Sequence, residues 1–138
     1  GSQLNRDIGK IFQVKWLVRE QLSHPGLNVK NIAEKLQCSP DYLSHLFRAK
    51  TGEKLVRYIQ RMRIIAAVAA LESTHLYVSE IAWSVGFQDP AYFGRVFRKF
   101  MGKSPQDYRE ELQKRPGKAE PIPKTVYNDR EDFSHGGI

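Results

Sequence analysis

The sequence predicts an all-α protein in which two helix-turn-helix units are joined by a long central helix. Three observations carry that prediction. Apolar residues recur at helical spacing, and no segment alternates apolar and polar residues long enough to make a strand. A motif with its cap and closing glycine occurs twice, and an apolar helix-length segment separates the copies.

Taken in order, the first helix is predicted from Leu4 to Ser23, with Leu4, Ile8, Ile11, Val18 and Leu22 on one stripe, before His24-Pro25-Gly26 breaks it. Asn28 is a suitable N-cap for a second helix that turns Val29, Ile32, Ala33 and Leu36 inward. A third starts at Ser39-Pro40, where serine caps and proline suits the first helical position. The central helix follows over 54–73. Its half from Ile64 to Leu71 is apolar nearly all round, as expected of a helix buried between two subdomains.

The third helix then returns. Ser39-Pro40-Asp41-Tyr42-Leu43-Ser44-His45-Leu46-Phe47-Arg48, closed by Gly52, recurs as Asp89-Pro90-Ala91-Tyr92-Phe93-Gly94-Arg95-Val96-Phe97-Arg98, closed by Gly102. Tyr58 and Tyr108 keep the same offset. Ile32-Ala33 recurs as Ile81-Ala82 one residue early, so the second copy has an extra residue near Gly86-Phe87-Gln88. The units are therefore expected at 4–52 and 74–114, with 53–73 as linker. Gly1-Ser2 reads as the remnant of a cleaved tag, with natural sequence expected upstream. The stretch 115–138, rich in proline and glycine, is expected to be a flexible tail.

Composition narrows the function. The 138 residues are 41% hydrophobic and 11% aromatic, enough to fill a core, and Ile64–Leu71 is far too short to span a bilayer. Cys38 has no disulfide partner in the chain and no secretory signal opens it, which fits a cytoplasmic protein. The net charge is +7, and 115–138 holds four basic and four acidic residues, so the whole excess lies in front of it. A basic folded unit suggests a polyanionic partner, above all nucleic acid.

A helical wheel divides the repeated helix. Tyr42, Leu43, Leu46 and Phe47 fall on one half and Asp41, Ser44, His45 and Arg48 on the other. In the second copy Tyr92, Phe93, Val96 and Phe97 turn inward, leaving Ala91, Gly94, Arg95 and Arg98 outward. The second helix of such a unit enters the major groove and reads base edges from its N-terminal part. Over 39–50 and 89–100, the candidate readers are thus Asp41, Ser44, His45, Ala91, Gly94 and Arg95. Arg95 offers a planar fork to guanine, Ala91 a methyl to thymine, and Gly94 close approach. Asp41 can accept from cytosine N4 or simply favour the helix dipole in the first turn. Arg48, Lys50, Arg98, Lys99 and Lys103 are placed for phosphates. Lys54, Arg57, Arg61 and Arg63 either flank the duplex or form a solvated face.

These residues resemble the DNA-binding domain of the AraC/XylS family of bacterial transcription regulators. The likeness runs from Ile8 to Arg109 and is sharpest at Ile81-Ala82, Gly86-Phe87, Asp89, Tyr92-Phe93, Arg95, Phe97-Arg98-Lys99, Gly102, Ser104-Pro105 and Tyr108-Arg109. Tyr58, Arg63, Ala67 and Leu71 follow the family's connecting helix. The resemblance implies seven helices, binding to double-stranded promoter DNA, action with RNA polymerase, and an upstream effector or dimerisation domain. Three features depart from the pattern: Gln37 stands where glycine is common, the first reader set is less basic, and the tail beyond Arg115 is long.

Other classes find less support. His24, His45, His75 and His135 are scattered and Cys38 has no ligand spacing to them, so no catalytic residue, metal site or cofactor is expected. Cys38 itself reads as a small buried filler. A helical protein-interaction module without DNA binding is the alternative, and it would be marked by an exposed apolar stripe. RNA readers stack bases on exposed aromatics, whereas the repeated aromatics here are expected inside.

Overall fold

Among the described residues there are seven helices, several of them bounded by local capping chemistry. They are α1 (Ser2–Glu20), α2 (Val29–Lys35), α3 (Pro40–Thr51), α4 (Leu55–Ser73), α5 (Val78–Ser84), α6 (Pro90–Met101) and α7 (Pro105–Lys114). These come from a computed structural model that describes residues 2–114 with Pro123 and Val126, and no strand occurs among them. Asn28 accepts the Asn31 amide at 2.8 Å, and Ser39 accepts that of Tyr42 at 3.1 Å. Asp89 accepts that of Ala91 at 3.0 Å. Each cap satisfies an N–H that the first turn leaves without a helical partner. Gly52 and Gly102 close α3 and α6 at φ of 79° and 78°, and their amides donate to Arg48 and Arg98 carbonyls at 2.8 Å. The duplication thus extends to both helix ends.

Two hydrophobic clusters form around the repeats. The first joins Val14 and Val18 of α1, Ile32 and Ala33 of α2, Leu43 and Phe47 of α3, and Leu55, Tyr58 and Ile59 of α4. The second gathers Ile64, Ala67, Val68 and Leu71 of α4 with Ile81, Phe93, Val96, Phe97, Phe100 and Tyr108. Here α4 passes from one cluster to the other along its length. Its apolar half is therefore not sandwiched between the units but belongs to the second core, and Ala69 is exposed. Rings lock that core: Phe93 lies 5.8 Å from Phe97, and Phe97 meets Tyr108 edge-on at 6.0 Å.

Several expectations are corrected. On α1 the inward residues are Val14 and Val18, whereas Leu4 (48%), Ile8 (49%), Phe12 (63%) and Trp16 (54%) are exposed. Ile11, Val18 and Leu22 of the expected stripe do pack on the first core, beside Val14, whereas Leu4 and Ile8 lie on the same side nearer the helix N-terminus and are exposed. Cys38 is only partly buried, against the first core. Val126, placed by composition in a loose tail, is fully buried in the second core. Apart from Pro123 and Val126, the expected tail lies outside the described residues.

Two of the arginines expected either to flank the duplex or to form a solvated face are structural. Arg61 is completely buried, held by Glu53 at 2.8 and 3.0 Å and by the Val126 carbonyl at 2.7 Å. Arg63 donates to the Leu22 and His24 carbonyls at 3.1 and 2.9 Å and lies over the Phe87 ring. Burial lowers its pKa from the ordinary arginine value, but an arginine starts so high that it stays charged. Both positions look solvated from sequence because their partners, at Glu53, Val126 and Leu22, are remote along the chain. Arg57, also paired with Glu53, lies over the Phe100 ring and so joins α4 to α6.

Candidate nucleic-acid interface

In both repeats the second helix is pinned by its apolar side and leaves the rest of its first two turns open. Leu43 and Phe47 are fully buried in α3, as are Phe93 and Phe97 in α6. Asp41, Ser44 and His45 are exposed on α3, and Ala91 and Arg95 on α6. Gly94 is half-buried, yet a Cβ there would meet nothing within 4 Å. All six expected readers therefore lie on open helix surface. Arg48, Lys50, Arg98 and Lys99 are exposed further along the same helices. Lys103 differs, because its ammonium is paired with Glu111 of α7.

The repeated tyrosines are where the wheel fails. Tyr42 and Tyr92 are each 42% exposed rather than turned into the core. Each lies about 100° from the helix position that follows it, so when the stripe centres on Leu43, Leu46 and Phe47 the tyrosine falls at its edge. In α6 the buried side continues instead to Phe100 and Met101. The two tyrosines then find different partners. Lys10 of α1 lies over the Tyr42 ring at 5.4 Å, whereas Arg95 of the same helix lies over the Tyr92 ring at 5.7 Å. Gln60 of α4 donates to the Tyr92 hydroxyl at 2.7 Å. No sequence signal marks Gln60, which is 32 residues away from its partner. Gln60, Tyr92 and Arg95 stand on the wall of an open cleft of about 430 Å³ between the two units.

Residues 32–111, running from α2 into α7, match the family model of a helix-turn-helix domain. The chain is 34% identical over 105 residues to the regulatory protein SoxS of Escherichia coli strain K12, covering 75% of this chain and 96% of that one. The chain belongs to the AraC/XylS family. It is also 38% identical over 103 residues to the Msm operon regulatory protein of Streptococcus mutans, covering 75% of this chain but only 37% of that protein. Among solved structures, the DNA-binding domain of AdpA in complex with a target DNA superposes with a TM-score of 0.73 at 26% identity, covering 78% of this chain and 96% of that one. Relatives of this AraC-type kind are transcription regulators and support a DNA-binding role here. Among the described residues, no group of three or more His, Cys, Asp or Glu is placed to hold a metal, and no helix is long and apolar enough to cross a membrane.

Proposed function

We propose that this chain is the sequence-specific duplex-binding part of an AraC-type regulator, using units at 4–52 and 74–114 to insert α3 and α6 into adjacent major-groove segments. The observation that carries the reading is the duplicated placement of polar or small residues on open surface, opposite buried aromatic anchors, at the N-terminal part of both helices. Asp41, Ser44, His45, Ala91, Gly94 and Arg95 then face base edges. Arg48, Lys50, Arg98 and Lys99 reach phosphates, while Lys103 reaches one only by sharing Glu111. The central helix, 19 residues long, spans roughly 28 Å, of the order of the ~34 Å helical repeat of DNA. An upstream effector or dimerisation domain and contact with RNA polymerase complete the proposal for the whole protein.

Duplexes selected from a random library should carry two unequal motifs about ten base pairs apart. On such a site, Arg95→Ala should relax preference at one base pair, a bidentate guanine contact contributing roughly 1–3 kcal/mol of discrimination. Arg98→Ala should instead weaken cognate and random duplexes alike and flatten the log–log salt slope by about one. Equal losses on cognate and random duplexes for both variants would remove Arg95 as a reader. Binding indifferent to salt would remove the phosphate contacts.

A further inference from the structure

The two repeats present different residues at the same helix position, Arg95 in the second and His45 in the first, and they also support them differently. Arg95 makes no ion pair among the described residues, and its guanidinium rests over the Tyr92 ring one turn earlier. That ring is itself held from two sides. Phe87 packs against it at 6.1 Å, and Gln60 on the central helix bonds its hydroxyl at 2.7 Å. A long side chain on a helix surface otherwise samples many rotamers, and binding must freeze them. An aromatic face beneath a guanidinium restricts that sampling while leaving the N–H edges free to donate. The equivalent Tyr42 lies under Lys10 of α1, so it braces one helix against another and supports no reader on its own.

We infer that Tyr92, with Gln60 behind it, is a positioning residue that preorganises Arg95, making the second unit the more stringent reader of the two. The inference rests on the reading of Arg95 as a base contact. Tyr92 sets how sharply one base pair is discriminated, and it does so without touching DNA. Gln60 links that sharpness to the central helix, 32 residues away in sequence.

The test is a double-mutant cycle on base discrimination, the ratio of Kd for a selected duplex and for the duplex changed at the Arg95 base pair. Tyr92→Leu should lower that ratio about two- to fivefold, the strength of an exposed cation–π contact, with little change in affinity for random duplex. Tyr92→Phe keeps the ring and should retain most of the ratio, and Gln60→Ala should match Tyr92→Phe. In an Arg95→Ala background, Tyr92→Leu should leave the ratio where Arg95→Ala puts it. A further fall there, or a loss of random-duplex affinity, would show Tyr92 to be a DNA contact and overturn the proposal. An unchanged or raised ratio for Tyr92→Leu alone would also overturn it. If Arg95→Ala itself leaves the ratio intact, the underlying reading of Arg95 fails instead. Helicity and melting temperature measured on each variant separate these outcomes from misfolding, and Tyr92→Phe supplies the readout if Tyr92→Leu does not fold.

Discussion

Gly86→Ala should cost about 2.5–5 kcal/mol, whereas Gln37→Gly, at the equivalent turn position of the first unit, should stabilise the protein. Both residues have positive φ, 104° at Gly86 and 57° at Gln37, so a side chain is strained at either place. At Gly86 the strain is compounded by a clash. An added Cβ would stand 2.5 Å from the Leu22 carbonyl oxygen and 2.8 Å from Arg63 Nε. The backbone carbonyl has little room to yield, so Arg63 must move and give up its bonds to Leu22 and His24. Roughly 1–2 kcal/mol for the backbone strain, added to about 1.5–3 kcal/mol for a hydrogen bond to a charged group, gives the stated range. At Gln37 the same backbone relief is offset by roughly 0.5–1 kcal/mol of extra chain entropy for glycine, leaving a net gain of about 0.5–1 kcal/mol. Urea denaturation followed by circular dichroism reads both changes, provided the slope with denaturant is unchanged. A loss below about 1 kcal/mol at Gly86, or a loss of any size at Gln37, would refute the reasoning.

Three further outcomes are expected. Arg61→Met should destabilise by about 3 kcal/mol or more in the same assay, because it leaves the largely buried Glu53 carboxylate without its main partner; Glu53→Gln in the Arg61→Met background should recover part of the loss. Ser39→Ala and Asp89→Ala should each cost about 0.5–2 kcal/mol by orphaning a first-turn amide, and equal Tm values for variant and parent would count against these caps. Phe97→Ala should cost about 3–5 kcal/mol by emptying a fully buried ring site, with a change under 1 kcal/mol showing that the second core is not packed as described.

How far the fold could be read from sequence depended on how local each cause was. Caps at Asn28, Ser39 and Asp89 and closing glycines at Gly52 and Gly102 act within a few residues, so the repeat exposed both units and their limits. The open helix faces were legible for the same reason, since Leu43 and Phe47, or Phe93 and Phe97, define the buried direction alone. Tyr42 and Tyr92 were misplaced because they sit at the margin of that direction, where contacts from outside the helix, Lys10 for Tyr42 and Phe87 and Gln60 for Tyr92, meet them. Arg61, Arg63 and Gln60 owe their roles to partners 8 to 65 residues away, which periodicity cannot see. On α1, periodicity found the buried side at Ile11, Val18 and Leu22 but could not show how far along the helix the core extends, so Leu4 and Ile8 were expected inside and are exposed.

The Arg63 guanidinium fastens the turn behind α1 to the ring of Phe87, and Arg57 fastens Glu53 to Phe100, so side chains from one stretch of α4 clasp both units. A reader clasped in this way has two prongs of fixed gauge. Under the proposed insertion of both α3 and α6, a duplex whose grooves fall out of step with that gauge would have to bend or overwind to admit the second prong, and sequences that deform easily between the two motifs would then be favoured without being touched.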